Sequence, residues 1–203
     1  MTEAQVHIDR IPAETIRVPL IGTTPLIVHR FSEKAKRQML DAMQGRKSPK
    51  QAKDPDAEYL ASLYHLKDGG YGFPTIAFKA ATVGAARFYG KEVTMKGLKQ
   101  TLFFRGEPGD DGQQLCRIDG EPHMREDTVR VGQGSDLRYR GQFTEWATHV
   151  DVTYVTSALT RESVLSLMDA GGMGVGVGEW RPERNGDFGT YRVDPSRDVE
   201  VMS

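Results

Sequence analysis

The chain has 203 residues, 38% hydrophobic and 27% charged, which excludes wholesale disorder and supplies one good core rather than two. A formal net charge of −1 excludes a surface that is basic throughout, so attraction to a polyanion must come from local clustering. The lone Cys116 excludes an internal disulfide and a cysteine-based zinc site, and with no long apolar run and no signal peptide the expected location is the cytoplasm, away from membranes.

Residues 15–29 are rich in β-branched side chains and read as a strand, with Gly22 marking a bulge. Ser32 is the expected N-cap of a helix whose Ala35, Met39 and Met43 recur at spacing four. From residue 31 to 53 the chain carries Lys34, Lys36, Arg37, Arg46, Lys47, Lys50 and Lys53 against only Glu33 and Asp41, and its second half reads as a basic loop insertion over about 44–54. Asp54 followed by Pro55 is a cap and first turn for a short helix that Gly69 and Gly70 end. The run from Phe73 begins extended beside Pro74 and turns helical from about Lys79. Residues 91–142 read as an irregular insertion, with strands near 102–105, 114–118 and 137–143. Residues 149–155 alternate cleanly and predict a half-buried strand. Thr160 caps a helix that places Val164, Leu167 and Met168 on one face, and a glycine-rich turn leads to a last strand at 190–193. This order predicts one α+β domain over 1–203, an antiparallel sheet with helices on one face in a ferredoxin-like plan.

The glycine-rich run over 171–189 carries the most chemistry. Gly174, Gly176 and Gly178 free the backbone for positive φ and for close approach of a partner, and exposed amides in such a run can cradle phosphates. Trp180 offers a stacking face, with Arg181 and Arg184 adding charge beyond it. A dinucleotide fingerprint is excluded because the helix precedes the glycines, and a P-loop is excluded because Glu179 and Trp180 stand where Gly-Lys-Ser/Thr would. A plain turn from helix to strand is the alternative reading of the same glycines.

A helix feeding a glycine-rich loop and a final strand near the C-terminus resembles the repeat-associated mysterious protein (RAMP) superfamily of CRISPR systems. Ile21, Gly22, Thr23, Thr24, Pro25, Leu26 and Ile27 resemble that family's first strand and its Thr-Pro-Leu turn. Pro74, Thr75 and Ile76, continuing to Gly84, Ala85, Ala86 and Arg87, resemble its Pro-x-Ile and Lys-Gly-x-x-Arg segment. Ala77 and Phe78 depart from the usual glycine and serine, Val83 stands at the expected lysine, and Lys79 is the nearby substitute. The resemblance implies a modified ferredoxin-like, RRM-like core that binds RNA mainly by backbone contacts. It also implies a homo-oligomer or a subunit of a nucleoprotein complex, and no cofactor. It assigns Gly174, Gly176 and Gly178 to the phosphate path, Arg87 to a backbone contact, and Lys79 to a lesser one. A phage-encoded relative that binds single strands fits as well as a CRISPR subunit.

Three functions remain open. The first is a non-catalytic protein that coats single-stranded RNA or DNA. The second is a metal-independent endoribonuclease using His29, which follows the first strand where some ribonucleases of the family place an acid–base histidine. The third is a module that engages another protein complex. Glu126, Asp127 and Asp136 have the chemistry to hold magnesium, but the flanking Arg125, Arg130, Arg138 and Arg140 point to ion pairs instead.

Overall fold

The computed structural model describes residues 7–46, 52–132 and 134–202. In chain order come β1 (Ala13–Gly22), β2 (Leu26–Val28), α1 (Glu33–Met43), α2 (Pro55–Ser62), β3 (Tyr64–His65), β4 (Tyr71–Pro74) and α3 (Thr75–Gly84). They continue with α4 (Met95–Thr101), β5 (Leu102–Arg105), β6 (Glu107–Pro108), β7 (Gln114–Asp119), β8 (Pro122–Val131) and β9 (Gly134–Phe143). Then follow β10 (Ala147–Val155), α5 (Arg161–Gly174), β11 (Tyr191–Val193) and β12 (Glu200–Met202). Lys47 and Lys50 lie outside the described residues.

The main sheet runs β11-β1-β10-β7-β4-β3, with β12 beside β1 and β5 beside β10. With α3 between β1 and β7, and α5 between β10 and β11, this is the antiparallel ferredoxin-like arrangement the sequence predicts. Alternation along β10 decides which way it faces: Val150, Val152 and Tyr154 are buried with Ile16, Val18 and Leu20 of β1 in the core. Their neighbours Thr153, Asp151 and His149 lie on the opposite side of the sheet. Two of the three predicted caps show the bond local chemistry requires: Asp54 Oδ1 accepts from Ala57 N at 3.1 Å, and Thr160 Oγ1 accepts from Ser163 N at 3.2 Å.

Three elements differ from expectation. The strand over 15–29 is two strands in two sheets. Gly22 lies so close to the buried Trp146 indole that a Cβ would fall 2.2 Å from its Nε1, and that indole donates to Thr24 O at 2.9 Å. Pinned there, the chain turns at Pro25 and β2 joins the separate three-stranded sheet β2-β9-β8. Helix α3 starts at Thr75, four residues before the expected Lys79, because Pro74 is satisfied as the residue preceding the first turn. Residues 91–142 hold α4 and five strands, of which β5, β6 and β7 belong to the main sheet. No helix among the described residues is long and apolar enough to cross a membrane.

Candidate functional site

A cleft of about 260 Å³ opens where β2, α3 and the run after α5 meet. The turn at Pro25 delivers His29 to its edge, and Tyr64 of β3 stands beside it. Alanines at 77, 80 and 81 on α3 leave room that larger side chains would fill, and Phe73, Val175 and Val177 supply apolar surface. Gly176, Gly178, Glu179, Arg181 and Glu183 form the remaining wall. Three stretches far apart in sequence, all singled out for separate reasons, therefore line one cleft.

The glycines act first by letting the chain pack on itself. Helix α5 runs through Gly174, so Gly174 is helical rather than left-handed, and a Cβ there would lie 2.4 Å from the Phe88 ring. Gly176 and Gly178 do adopt positive φ, at 70° and 78°, and a Cβ on Gly178 would come 2.5 Å from Ile27 O. Most amides of the run are spent internally. Val175 and Gly176 donate to Gly171 O, Val177 to Gly189 O, and Glu179 to Ile27 O. Gly178 N–H is the one amide over 175–179 with no acceptor among the described residues. The expected cradle of several free amides is thus reduced to one.

Beyond the glycines, residues 180–188 close a tight loop. Phe188 N donates to Trp180 O, while Arg184 N and Gly186 N both donate to Arg181 O. These bonds hold Trp180 at φ 55°, a left-handed conformation that a bulky residue adopts only under constraint, and its side chain remains 42% exposed.

Charge at the cleft is arranged around a buried guanidinium. Arg140, 2% exposed, donates to Asp127 at 3.2 Å and faces Glu179 at 3.8 Å, while its Nε has no acceptor among the described residues. Asp127 also accepts from Arg125 at 2.8 Å, and the Arg125 guanidinium lies 4.8 Å above the Phe188 ring. Glu179 faces His29 Nδ1 at 3.9 Å, and neither residue makes a side-chain hydrogen bond among the described residues. Burial pushes the His29 imidazole below its ordinary value and the Arg140 charge adds to this, while Glu179 pulls the other way. Burial likewise pushes the Tyr64 phenol up.

The predicted site residues divide accordingly. His29, Gly176, Gly178 and Arg181 share the cleft. Arg87 reaches its edge through Glu183, which it meets at 3.5 Å, and Arg181 holds the same carboxylate at 2.9 Å. Arg184 is exposed and makes no ion pair among the described residues. Lys79 points to the other side of α3, where it donates to Lys99 O and lies 5.4 Å from the Phe103 ring centre. Lys36 pairs with Glu33 on α1, Arg37 is exposed on the same helix, and Arg46 is exposed just after it. Lys34 also falls on α1. Lys53, expected on nucleic acid, pairs instead with Asp136 on the β8–β9 hairpin, while Asp127 meets Arg125 and Arg140 as the ion-pair reading expects. Glu179 and Arg140 are absent from the sequence-based set. Glu179 carries one signal, a carboxylate set between Gly178 and Trp180. Arg140 is legible only as an ion-pair partner of the nearby carboxylates, which it is for Asp127, and not as a buried group facing Glu179, because burial depends on tertiary packing.

A second concavity, of about 320 Å³, lies on the open face of the main sheet. Its charges neutralise one another: Arg17 meets Asp151 through two bonds of 2.7 and 2.9 Å, and Arg117 meets Asp68 and Glu107. Cys116 is buried beneath it, its thiol pushed up to about 12 by burial.

No protein-family model matches the chain, and no curated protein matches it. Among solved structures, a chain of the cryo-EM structure of the Type III-B Cmr-beta bound to cognate target RNA aligns with a TM-score of 0.45 and 9% identity. That alignment covers 94% of this chain and 61% of the other, so this chain spans about three fifths of its length. The crystal structure of Cmr6 from Pyrococcus furiosus aligns with a TM-score of 0.44 and 10% identity, over 91% of this chain and all of that one. At these scores the likeness adds nothing to the topology derived above.

Proposed function

We propose that the protein binds a single strand of RNA or DNA without cleaving it, as a homo-oligomeric coat or as a subunit of a nucleoprotein assembly. The observation that carries this reading is Trp180. Its ring stands half exposed beside the cleft, on a backbone conformation that costs energy and that the 180–188 loop sustains. A platform of this kind suits base stacking, which needs no sequence motif in the ligand. Arg184, exposed four residues along the same loop, supplies a charge for the phosphates, and Lys36, Arg37 and Arg46 add a second basic region. The sequence resemblance to RAMP proteins belongs to the same reading.

The test is fluorescence anisotropy with labelled single-stranded RNA, single-stranded DNA and duplex across a salt series. Salt-sensitive binding to single strands, with quenching of Trp180 emission, is the expected result. Trp146 is 3% exposed and serves as the unquenched internal reference. Arg184→Ala should weaken binding uniformly and reduce the salt slope by about 0.7 for one lost phosphate contact. The absence of salt-sensitive binding to any strand would overturn the proposal and turn the search to protein partners.

One observation favours the endoribonuclease reading as a second. His29 lies at the cleft edge with its imidazole biased toward the neutral form, the form that accepts a proton from a ribose 2′-hydroxyl. The resulting 2′-oxyanion would attack the adjacent phosphorus as the P–O5′ bond breaks, and the leaving 5′-oxygen would take a proton from water. The imidazolium would return its proton to solvent, and a 2′,3′-cyclic phosphate and a 5′-hydroxyl would remain. Cleavage of RNA that disappears in His29→Ala would establish this reading; cleavage that persists would remove His29 from it.

A further inference from the structure

The cleft is badly suited to a phosphate. Two carboxylates, Glu179 and Glu183, stand in its wall, and the two arginines that reach Glu183 are held by it. A phosphate entering there would meet Glu179 directly, with one backbone amide, Gly178 N–H, to receive it. A flat, largely apolar group carrying hydrogen-bond donors on its edge meets none of these objections. Phe73, Pro74, Ala77 and Val177 would face its ring surfaces, and Tyr64 and His29 lie at the entrance. Resting on the strand-binding reading, we infer that this cleft is a pocket for one unstacked nucleobase, and that Glu179 selects bases bearing an exocyclic amine.

The chemistry of selection follows from what Glu179 has left to give. Its contacts to His29 and Arg140, at 3.9 and 3.8 Å, lie beyond hydrogen-bond distance, so both carboxylate oxygens keep their acceptor capacity. An ionised carboxylate accepts only. The amines of cytosine, adenine and guanine are donors that complement it. Uracil and thymine place their single N–H between two carbonyl oxygens, which the carboxylate repels. The buried Arg140 guanidinium stands 3.8 Å from Glu179, donates to Asp127 and does not line the cleft, so it leaves Glu179 free to accept from a ligand. Trp180, next in sequence, is then placed to stack on the neighbouring base outside the cleft.

The experiment compares labelled oligo(rC), oligo(rA) and oligo(rU) of equal length at one salt concentration, for the wild-type chain, Glu179→Gln and Ala80→Leu. Wild-type protein should bind oligo(rC) and oligo(rA) roughly tenfold more tightly than oligo(rU), the size of one charge-assisted hydrogen bond. Glu179→Gln, which can donate as well as accept, should bring the three affinities together. Ala80→Leu changes an exposed helix residue at the cleft wall, so it should fold normally, block entry and remove the preference by a separate route. Equal wild-type affinities, with salt-sensitive binding and Trp180 quenching retained, would overturn the base pocket and leave strand binding standing. A preference that survives Glu179→Gln would overturn the role of Glu179. No binding to any oligomer would overturn both readings.

Discussion

The two concavities of this molecule are of similar size, and each holds arginine, carboxylate and one histidine, yet they use these charges differently. On the open sheet face, β1 and β10 are in register, so Arg17 lies opposite Asp151 and the two meet through paired hydrogen bonds. Neighbouring strands hold side chains at fixed short spacing, and opposite charges placed across them find each other. The cleft is instead assembled from the end of β2, the β3–β4 pair, a flank of α3 and the loop after α5, and its charged groups come from segments that share no ladder there. Arg181 and Glu183 pair there at 2.9 Å, but Glu179 stands 3.8 Å from Arg140 and 3.9 Å from His29, so Glu179 and His29 keep unspent hydrogen-bonding capacity. Irregular backbone resting on a regular scaffold leaves chemistry available for a ligand, whereas a regular ladder consumes it.

The largest effect expected from breaking this contrast is structural. Gly178→Ala forces a Cβ against Ile27 O at a positive φ, and should destabilise the fold by about 2–4 kcal/mol in a denaturant titration. A smaller change would mean that the loop relaxes freely and that the cleft wall is not rigid. Next comes Trp180→Ala, which should weaken strand binding by roughly 5- to 100-fold while leaving the melting temperature within a few degrees of wild type. Arg17→Met on the other concavity should do the reverse. It breaks a partly exposed pair worth about 1 kcal/mol of stability at most and should leave the strand affinity unchanged. An affinity loss equal to that of Trp180→Ala would move the binding surface to the open sheet face.

The smallest effect is a pH dependence shared by both regions. His29 in the cleft and His149 on the open face are each pushed below the ordinary 6.5, first by burial and then by nearby arginines, Arg140 for one and Arg197 for the other. The unfolded chain therefore takes up protons near pH 6.5 that the folded chain refuses. Their contribution is fully present above 6.5 and is lost as pH falls through 6.5 toward the depressed folded values. His29→Gln and His149→Gln should each make stability fall less between pH 7 and pH 5. A steeper fall in either variant would mean that the imidazole gains a partner on folding.

Much of the scaffold was legible because its signals are local. The Asp54 and Thr160 caps satisfy amides within three residues, and alternation along 149–155 reports a sheet with one buried face whatever lies elsewhere. Strand β8 escaped because its residues are mostly charged or polar and pair across to β9 rather than into the core. Helix α1 was read from Met39 and Met43 at spacing four, but these side chains are 52% and 82% exposed, so periodicity marked the helix and not its burial. Within the cleft, His29 and the 171–189 run with Gly176, Gly178 and Arg181 are separate motifs in the sequence, and nothing in the chain announces that they meet.

The sequence by itself determined the α+β class, the order of the main helices and strands, and the glycine run with its neighbouring tryptophan. Each depends on periodicity, capping or backbone freedom, and all of these act over a few residues. Only the tertiary structure decided that β2 leaves the first sheet, that most of the glycine-run amides are already spent, and that Arg140 is buried behind Glu179. The path of β2 and the setting of Glu179 depend on contacts between residues far apart in sequence, Gly22 with Trp146, Arg140 with Glu179, and Glu179 with Ile27. The other glycine-run amides find acceptors in residues 171 and 189 only because the loop folds back on itself. The energy of such contacts comes from packing and desolvation in three dimensions, and no window of local sequence contains it.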